Sequence, residues 1–500
     1  MRLFATLFVY LIILILFPIG GFALELDFGG QFRAENAWIP NYTMGGSNTR
    51  DRALEAQDGY YVPPAGKKKA SFQQFFMRLN PKALVNDNIA LKSELWFGNP
   101  VNGFFGRDPA TNNGQQFFNT TSSAGSFVKA QRVWGEFQTD FGVVEVGRAP
   151  LNWGLGLVHS AGNGIFDRYQ STGDVARVRI KFGNFSVTPA TTKFNDGGVV
   201  GGAPAGGVDG GAGLSEYSVA LKYESSEDGL EAGVNFVRRL AGGASTTKWI
   251  NDTSGSMNIS IWDIYFKRKF DRLSFGVEAP VFTGKLVSSN YRTYAIATET
   301  EYEYSDSWVW RLKAGRSPGQ SNDQNATRGA NPINPFRYTA VYFHPNYRLG
   351  LIMFNYNLRA FGGAPASGTP AINDPVDSIY DNPVTNANYA LLEGVFRQER
   401  WQLGGKWIYA VADKSAEAGQ RYFNHWDRKY STNAATVSQS NSLGQEIDLN
   451  WDYFWDSSTT FGIDSGIYLP GAFYKFAGDA GNSLATKPIM ALVFRVGVQF

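Results

Sequence analysis

The segment that ends the chain constrains the fold most. In IMALVFRVGVQF, Met490, Leu492, Phe494, Val496, Val498 and Phe500 share one parity, while Ala491, Arg495, Gly497 and Gln499 share the other with Ile489 and Val493. A β-strand sends alternate side chains to opposite faces. One face is continuous and apolar, and the other mixes charge, amide and small residues. The same rhythm recurs at Phe75–Leu79, Ala176–Phe182, Leu230–Phe236, Leu273–Ala279 and Trp308–Ala314. Aromatics make up 15% of the chain and Gly contributes 56 residues. A soluble sandwich also alternates, but it has little use for so many large rings on one side of so many strands.

Membrane physics turns this pattern into an architecture. Irregular backbone cannot face lipid, so a sheet that crosses a bilayer must close on itself. The expected fold is therefore all-β: a single transmembrane antiparallel up-and-down β-barrel of about 18–20 strands with short periplasmic turns and long extracellular loops. Short turns are expected at Thr139–Gly142, Gly183–Asn184, Ser225–Gly229, Phe270–Arg272, Ser305–Ser307, His344–Asn346, Gln398–Arg400 and Asp456–Ser458. The long stretches are Trp38–Lys69, Gly98–Ser126, Pro150–Gly173, Asp196–Gly213, Ala241–Ser256, Arg316–Asn334, Phe361–Asn388, Asp413–Asn441 and Gly471–Ala485.

One long apolar run occurs, LFATLFVYLIILILF, behind Arg2 and ahead of Pro18, Gly20-Gly21 and Ala23. This order of charge, apolar stretch and small residues is that of a secretory signal peptide. The expected division is a signal peptide over 1–23 and an outer-membrane barrel over 24–500.

Charge is balanced, with 46 Lys+Arg against 44 Asp+Glu for a net +2. That argues against nucleic acid as a partner. Cysteine is absent, which removes disulfides, iron–sulfur clusters and thiolate zinc sites. No cofactor is expected, and no ligand spacing predicts a metal. The Gly-rich stretch from Asn195 to Gly213 lacks the setting and the Lys of a phosphate-binding loop and reads as an external loop. Lys67, Lys68 and Lys69 form a basic run that reads as a solvated loop end, with contact to anionic lipopolysaccharide as the alternative.

Strand parity places Arg132 and Glu136 inward, together with the row Arg177, Arg179 and Lys181. Like charges in a row belong on a water-filled face and attract anions. The plainer alternative is ordinary wall charge neutralised by Glu136 and Glu145. The segment VGRAPLNWGLGLVHSAGNGIFDRY, Val146 to Tyr169, is the most distinctive string. Its glycines permit a tight path. Folded inward, it would bring Asp167, Arg168 and Asp174 to a constriction; an external loop is the equal alternative. Arg148 shares parity with Val144 and Val146, so it must lie beyond the lipid zone or be re-aimed by a bulge.

Signal peptide, aromatic-terminated last strand and the Gly147–Gly156 string resemble Gram-negative outer-membrane porins. The alginate-export-type large barrels are the most similar family. That resemblance implies passive transport without cofactor and an Arg-lined path for an anionic polysaccharide, with Arg132, Arg148, Arg177 and Arg179 as the matching positions. Its members work alone, whereas many porins are trimers. The expected function is a porin or diffusion channel, not an enzyme, passing small hydrophilic or anionic solutes through a charged lumen. Its other partners would be outer-membrane lipid and lipopolysaccharide. Two readings compete: an adhesin or structural barrel acting through its loops, and a hydrolase built on His159, Ser160 and Asp167.

Overall fold

The computed structural model describes residues 25–42, 69–98, 100, 128–195, 214–242, 248–250, 253–254, 256–287, 289–323, 337–358, 380, 382–426, 428–431, 433–478 and 481–500. The expected signal peptide, Lys67, Lys68 and residues 196–213 of the Gly-rich stretch fall outside them.

Eighteen wall strands are present among the described residues. In chain order they are β1 (Glu25–Ile39), β2 (Ala70–Asn86), β3 (Ile89–Phe97), β4 (Val128–Thr139), β5 (Gly142–Pro150) and β6 (Thr172–Phe182). Then come β7 (Phe185–Asn195), β8 (Leu214–Ser225), β9 (Leu230–Ala241), β10 (Met257–Phe270) and β11 (Leu273–Leu286). β12 runs in two pieces, Ser289–Tyr294 and Ile296–Glu303, both paired to β11. The last six are β13 (Trp308–Ser317), β14 (Ala387–Arg397), β15 (Trp401–Ala412), β16 (Ser442–Phe454), β17 (Thr459–Pro470) and β18 (Ile489–Gln499).

Each wall strand pairs antiparallel with the next, and β18 returns to β1 with Gln499 opposite Gln31. Phe500 fastens the closure: its backbone exchanges bonds of 2.6 and 3.0 Å with Gly30. The Phe500 ring lies against Gly30, where any Cβ would meet it at 2.7 Å. Only a glycine leaves room for that ring. A closed sheet has no free edge for lipid to desolvate.

The outward parity is apolar and exposed at Leu221, Trp262, Ile264, Trp310, Leu312, Leu392, Trp407, Ile447 and Phe494. This is the lipid-facing belt that the alternation predicts.

Two expectations fail. His344–Asn346 does form a turn, with the Tyr347 amide bonded to the His344 carbonyl at 2.8 Å. It is not a periplasmic hairpin, however. The expected stretches Arg316–Asn334 and Phe361–Asn388 belong to one connection, 318–386, between the antiparallel neighbours β13 and β14. The wall thereby closes with eighteen strands, the lower end of the expected 18–20. The loop side also has one short connection, between Leu286 of β11 and Ser289 of β12. In addition, the lumen is not wet throughout. Inward wall residues Ile259, Ile261, Phe282, Ile408 and Ala410 are buried in one apolar cluster with Leu157, Phe343, Ile352 and Tyr356 from inward-folded loops. The loops supply the apolar cover that the wall positions need.

Candidate lumen constriction

Two connections fold into the barrel, and wall side chains hold both by their backbones. The first is 151–171. Arginines from three strands take its carbonyls in order. Arg132 on β4 donates to the Ala161 oxygen at 2.5 Å. Arg78 on β2 donates to those of Gly162 and Asn163 at 2.7 and 2.8 Å. Arg33 on β1 donates to those of Ile165 and Asp167 at 2.9 and 2.6 Å. Arg33, Arg78 and Arg132 are all buried, so a guanidinium with five donors satisfies groups that water cannot reach.

The other end of the loop reaches β11. Glu278 accepts the amides of Leu155 and, at 3.1 Å, Leu157. Gly154 has φ +56°, and a Cβ there would lie 2.5 Å from the Glu278 carboxylate. Both the backbone conformation and the close approach require glycine. Ile165 and Phe166 pack on Gly497 of β18, and the Arg495 guanidinium sits 4.9 Å from the Phe166 ring centroid. The segment thus spans the lumen from β1, β2, β4 and β18 to β11.

The second connection uses the same device. Glu446 on β16 accepts the Ile352 and Met353 amides at 2.7 and 2.6 Å, and Asp448 accepts that of Leu351 at 3.0 Å. Gly350 makes room, since a Cβ there would lie 2.6 Å from the Glu446 carboxylate.

The two loops meet. Asn346 accepts the Arg168 and Tyr169 amides through Oδ1 and donates to the Tyr169 carbonyl at 2.5 Å. Arg348 donates to the Phe166 carbonyl at 2.6 Å and lies 3.7 Å from Asp167. Arg168 forks onto Glu35 of β1 at 2.6 and 2.8 Å and lies 3.7 Å over the Tyr380 ring.

The candidate residues divide accordingly. Asp167 and Arg168 reach the constriction, as an inward loop requires. Arg132 faces inward and also holds Glu94 at 3.0 Å. Glu136 faces inward and is paired with Lys92 at 2.7 Å. Arg177 and Arg179 face inward and share Glu145, Arg179 at 2.9 Å. Lys181 keeps their parity at the short-turn end. Arg148 and Asp174 require a correction. They face each other across β5 and β6 on the outward parity of Val133 and Val146, about half exposed and paired at 2.8 Å. No bulge turns them inward; they sit at the loop-side rim. Sequence reasoning misses Arg33, Glu35, Arg78, Glu278, Arg348 and Glu446. The inward parity of Arg78 is visible in β2, but a carboxylate's hold on a distant loop leaves no local signal.

On the turn side of the loops lies a chamber against β10 to β15. Lys267, Arg311, Lys313, Arg348 and Lys406 line it with Glu299, Glu301 and Glu393. Most are paired: Arg311 with Glu301 at 2.7 Å and Glu393 at 3.4 Å, and Lys313 with Glu299 at 2.7 Å. Lys267 has no acidic partner among the described residues. A second cavity, lined by Glu224, Lys269, Arg272 and Glu303, shares Lys267, Ser274 and Glu301 with the first and reaches the short turns.

His159 contacts Glu216 at 3.1 Å, and Asp167 accepts the Gly164 amide. In the competing hydrolytic reading, His159 and Asp167 thus have other partners.

No protein-family model and no curated protein matches the chain. Among solved structures, OccK2 (OpdF) of Pseudomonas aeruginosa in complex with glucuronate is 8% identical, with 95% of this chain and 98% of that one covered at a TM-score of 0.47. OccK11 (OpdR) of the same organism is 7% identical, covering 95% and 96% at 0.45. OmpT, an outer membrane protein of Vibrio cholerae, is 10% identical, covering 96% and 99% at 0.36. Likeness this slight carries no function with it.

Proposed function

We propose that the chain is a diffusion channel of a Gram-negative outer membrane, passing small hydrophilic solutes with a preference for anions. The observation that carries this reading is the pair of loops pinned inside a lipid-belted barrel, above a chamber with five cationic and three acidic side chains. A lumen narrowed by fixed loops selects by size, and its lining charge selects by sign. The near-neutral chain therefore concentrates its positive excess where solute passes. The ion pairs around Glu301 and Glu393 keep that excess small, which suits a weak preference that lets a solute enter and leave.

The test is reconstitution into planar bilayers under a salt gradient. The expected result is ohmic conductance with a reversal potential on the anion side. A barrel that never conducts, even with 151–171 shortened, overturns the channel. A reversal potential on the cation side overturns the preference.

A further inference from the structure

We propose that the outer wall of β9 to β12 carries a binding site for a lipid bearing two phosphates, such as the glycolipid of the outer leaflet. The inference rests on the membrane reading above. Three cations set it. Arg238, Lys285 and Arg292 all lie on the outward parity and are exposed. None has an acidic partner among the described residues. Each stands within a few residues of the loop-side end of its strand.

Register fixes their spacing. Lys285 faces Asn290, so Arg292 is its diagonal neighbour on the next strand. Such neighbours lie about 7–8 Å apart, a separation at which two cations hold one phosphate between them. Arg238 faces Ser260, Ser260 faces Thr283, and Thr283 faces Arg292. Three strand spacings put Arg238 roughly 14 Å from Arg292, in reach of a second phosphate at the far end of one headgroup.

The surroundings select a lipid over a free anion. Directly below the cations on the same face are Trp262 and Ile264, 49% and 48% exposed, with Val219 and Leu221 beside them. A ligand with phosphates at the rim and acyl chains below satisfies both surfaces. The unpaired charge is also one-sided, for the outward rim cations Arg148 and Arg316 face Asp174 and Asp413. On the far half of the barrel, rim positions Asn388, Tyr409, Gln445, Leu469 and Trp38 on the same outward parity are uncharged. Solubility does not explain cations without an acidic partner gathered on one arc of a lipid-facing wall. Charge directed at one lipid does.

Native mass spectrometry of the refolded full chain in detergent tests this. The probes are bis-phosphorylated lipid A, its monophosphoryl form, phosphatidylglycerol and inorganic phosphate. The unmodified chain should retain bis-phosphorylated lipid A at least tenfold better than the monophosphoryl form. The Arg238→Gln/Lys285→Gln/Arg292→Gln variant should lose that difference. Heat-modifiable migration in gels checks that it still folds, and a Lys285→Arg/Arg292→Lys variant should keep binding. The proposal is overturned if the triple variant retains lipid A unchanged, or if phosphatidylglycerol binds equally well. Displacement by millimolar inorganic phosphate would instead mark a free-anion site. Lipid-independent self-association abolished by the triple variant would mark a contact between copies; either result also overturns it. Conductance of the triple variant in phospholipid bilayers should be unchanged, so a failure of the channel reading is seen separately.

Discussion

Arg168 grips Glu35 with both terminal guanidinium nitrogens, at 2.6 and 2.8 Å, and both side chains are buried. This pair adds a side-chain tie to the backbone anchors of the first inward loop, and the flat guanidinium also covers the Tyr380 ring that leads back from the second loop. A bidentate fork fixes orientation as well as distance. Removing Arg168 leaves the buried Glu35 carboxylate with only Arg33, at 3.7 Å, beside it, so the cost stays below the roughly 3–5 kcal/mol of a buried charge left alone. Arg168→Met should therefore loosen the loop around 166–169 rather than unfold the barrel. Conductance should rise and become noisy, and limited proteolysis should newly cut within 151–171. Unchanged conductance and protection would show that the loop is held without this pair.

The two carboxylate anchors make a second prediction. Glu278 on β11 and Glu446 on β16 each accept two loop amides. Each amide left without an acceptor costs about 1–3 kcal/mol. Glu278→Ala should loosen the first loop and Glu446→Ala the second. The Gln variants keep an acceptor oxygen and should be milder. Because the loops meet at Asn346 and Tyr169, the double Ala variant should show a conductance change that differs from the sum of the single ones. Strict additivity would mean the loops move independently.

The wall is largely legible in the sequence and the interior is not. Alternation at Trp308–Ala314 or Ala176–Phe182 is local, because one strand presents both faces within a few residues. Turn chemistry at Asp456–Ser458 is local too. The His344-Pro345-Asn346 turn is equally legible as a turn, but nothing near it records that it lies inside the barrel. What decides this is contact with Leu157, whose carbonyl takes the His344 amide at 2.7 Å, and the hold of Glu446 on Ile352 further along the same connection. Arg148 fails as a lumen residue for the opposite reason. Its outward parity is as read, and of the two ways to accommodate it the structure takes the first: it lies at the rim, beyond the lipid zone, with no bulge to turn it inward.

Gly350 tests whether the second loop is built as the first is. The glycine at Gly154 is demanded by backbone conformation and by Glu278 together. Gly350 is demanded by contact alone, since its Cβ would press on the Glu446 carboxylate. Gly350→Val should therefore weaken the anchor about as much as Glu446→Ala does. Combined with Glu446→Ala, it should add little. Matching conductance traces for the single and double variants would bear this out, and a further increase in the double variant would refute it.

His425, in the connection between β15 and β16, supplies a pH prediction. Burial holds its imidazole far below the ordinary value, at about 3, against a smaller upward pull from Asp413. Its Nε2 accepts the Gln320 amide at 2.8 Å, which requires the neutral form. A depressed folded value means that the opened state binds the proton first. The contribution is thus whole above the unfolded value near 6.5. It falls as pH drops from there towards 3. Hydrogen exchange at the Gln320 amide, corrected for intrinsic rate, should speed up as pH falls from 6 to 4. In His425→Asn that slope should vanish. A slope that survives the substitution would assign it to another group.

Charge selection gives the last prediction. Lys267 faces both cavities and has no acidic partner among the described residues, whereas Arg311 and Lys313 are neutralised in place. An unpaired charge beside the path acts on solute at full strength, while a paired one is felt as a dipole. Lys267→Gln should therefore move the reversal potential further towards the cation side than Lys313→Gln does with Glu299→Gln beside it, because that double change removes a pair of no net charge. Arg177 and Arg179 form a separate case. Neutralising both leaves Glu145 buried without a partner, so a fixed negative charge appears where two positive ones stood. The Arg177→Gln/Arg179→Gln variant should shift the reversal potential most of the three. If none of these variants moves it, the chamber is not on the conduction path.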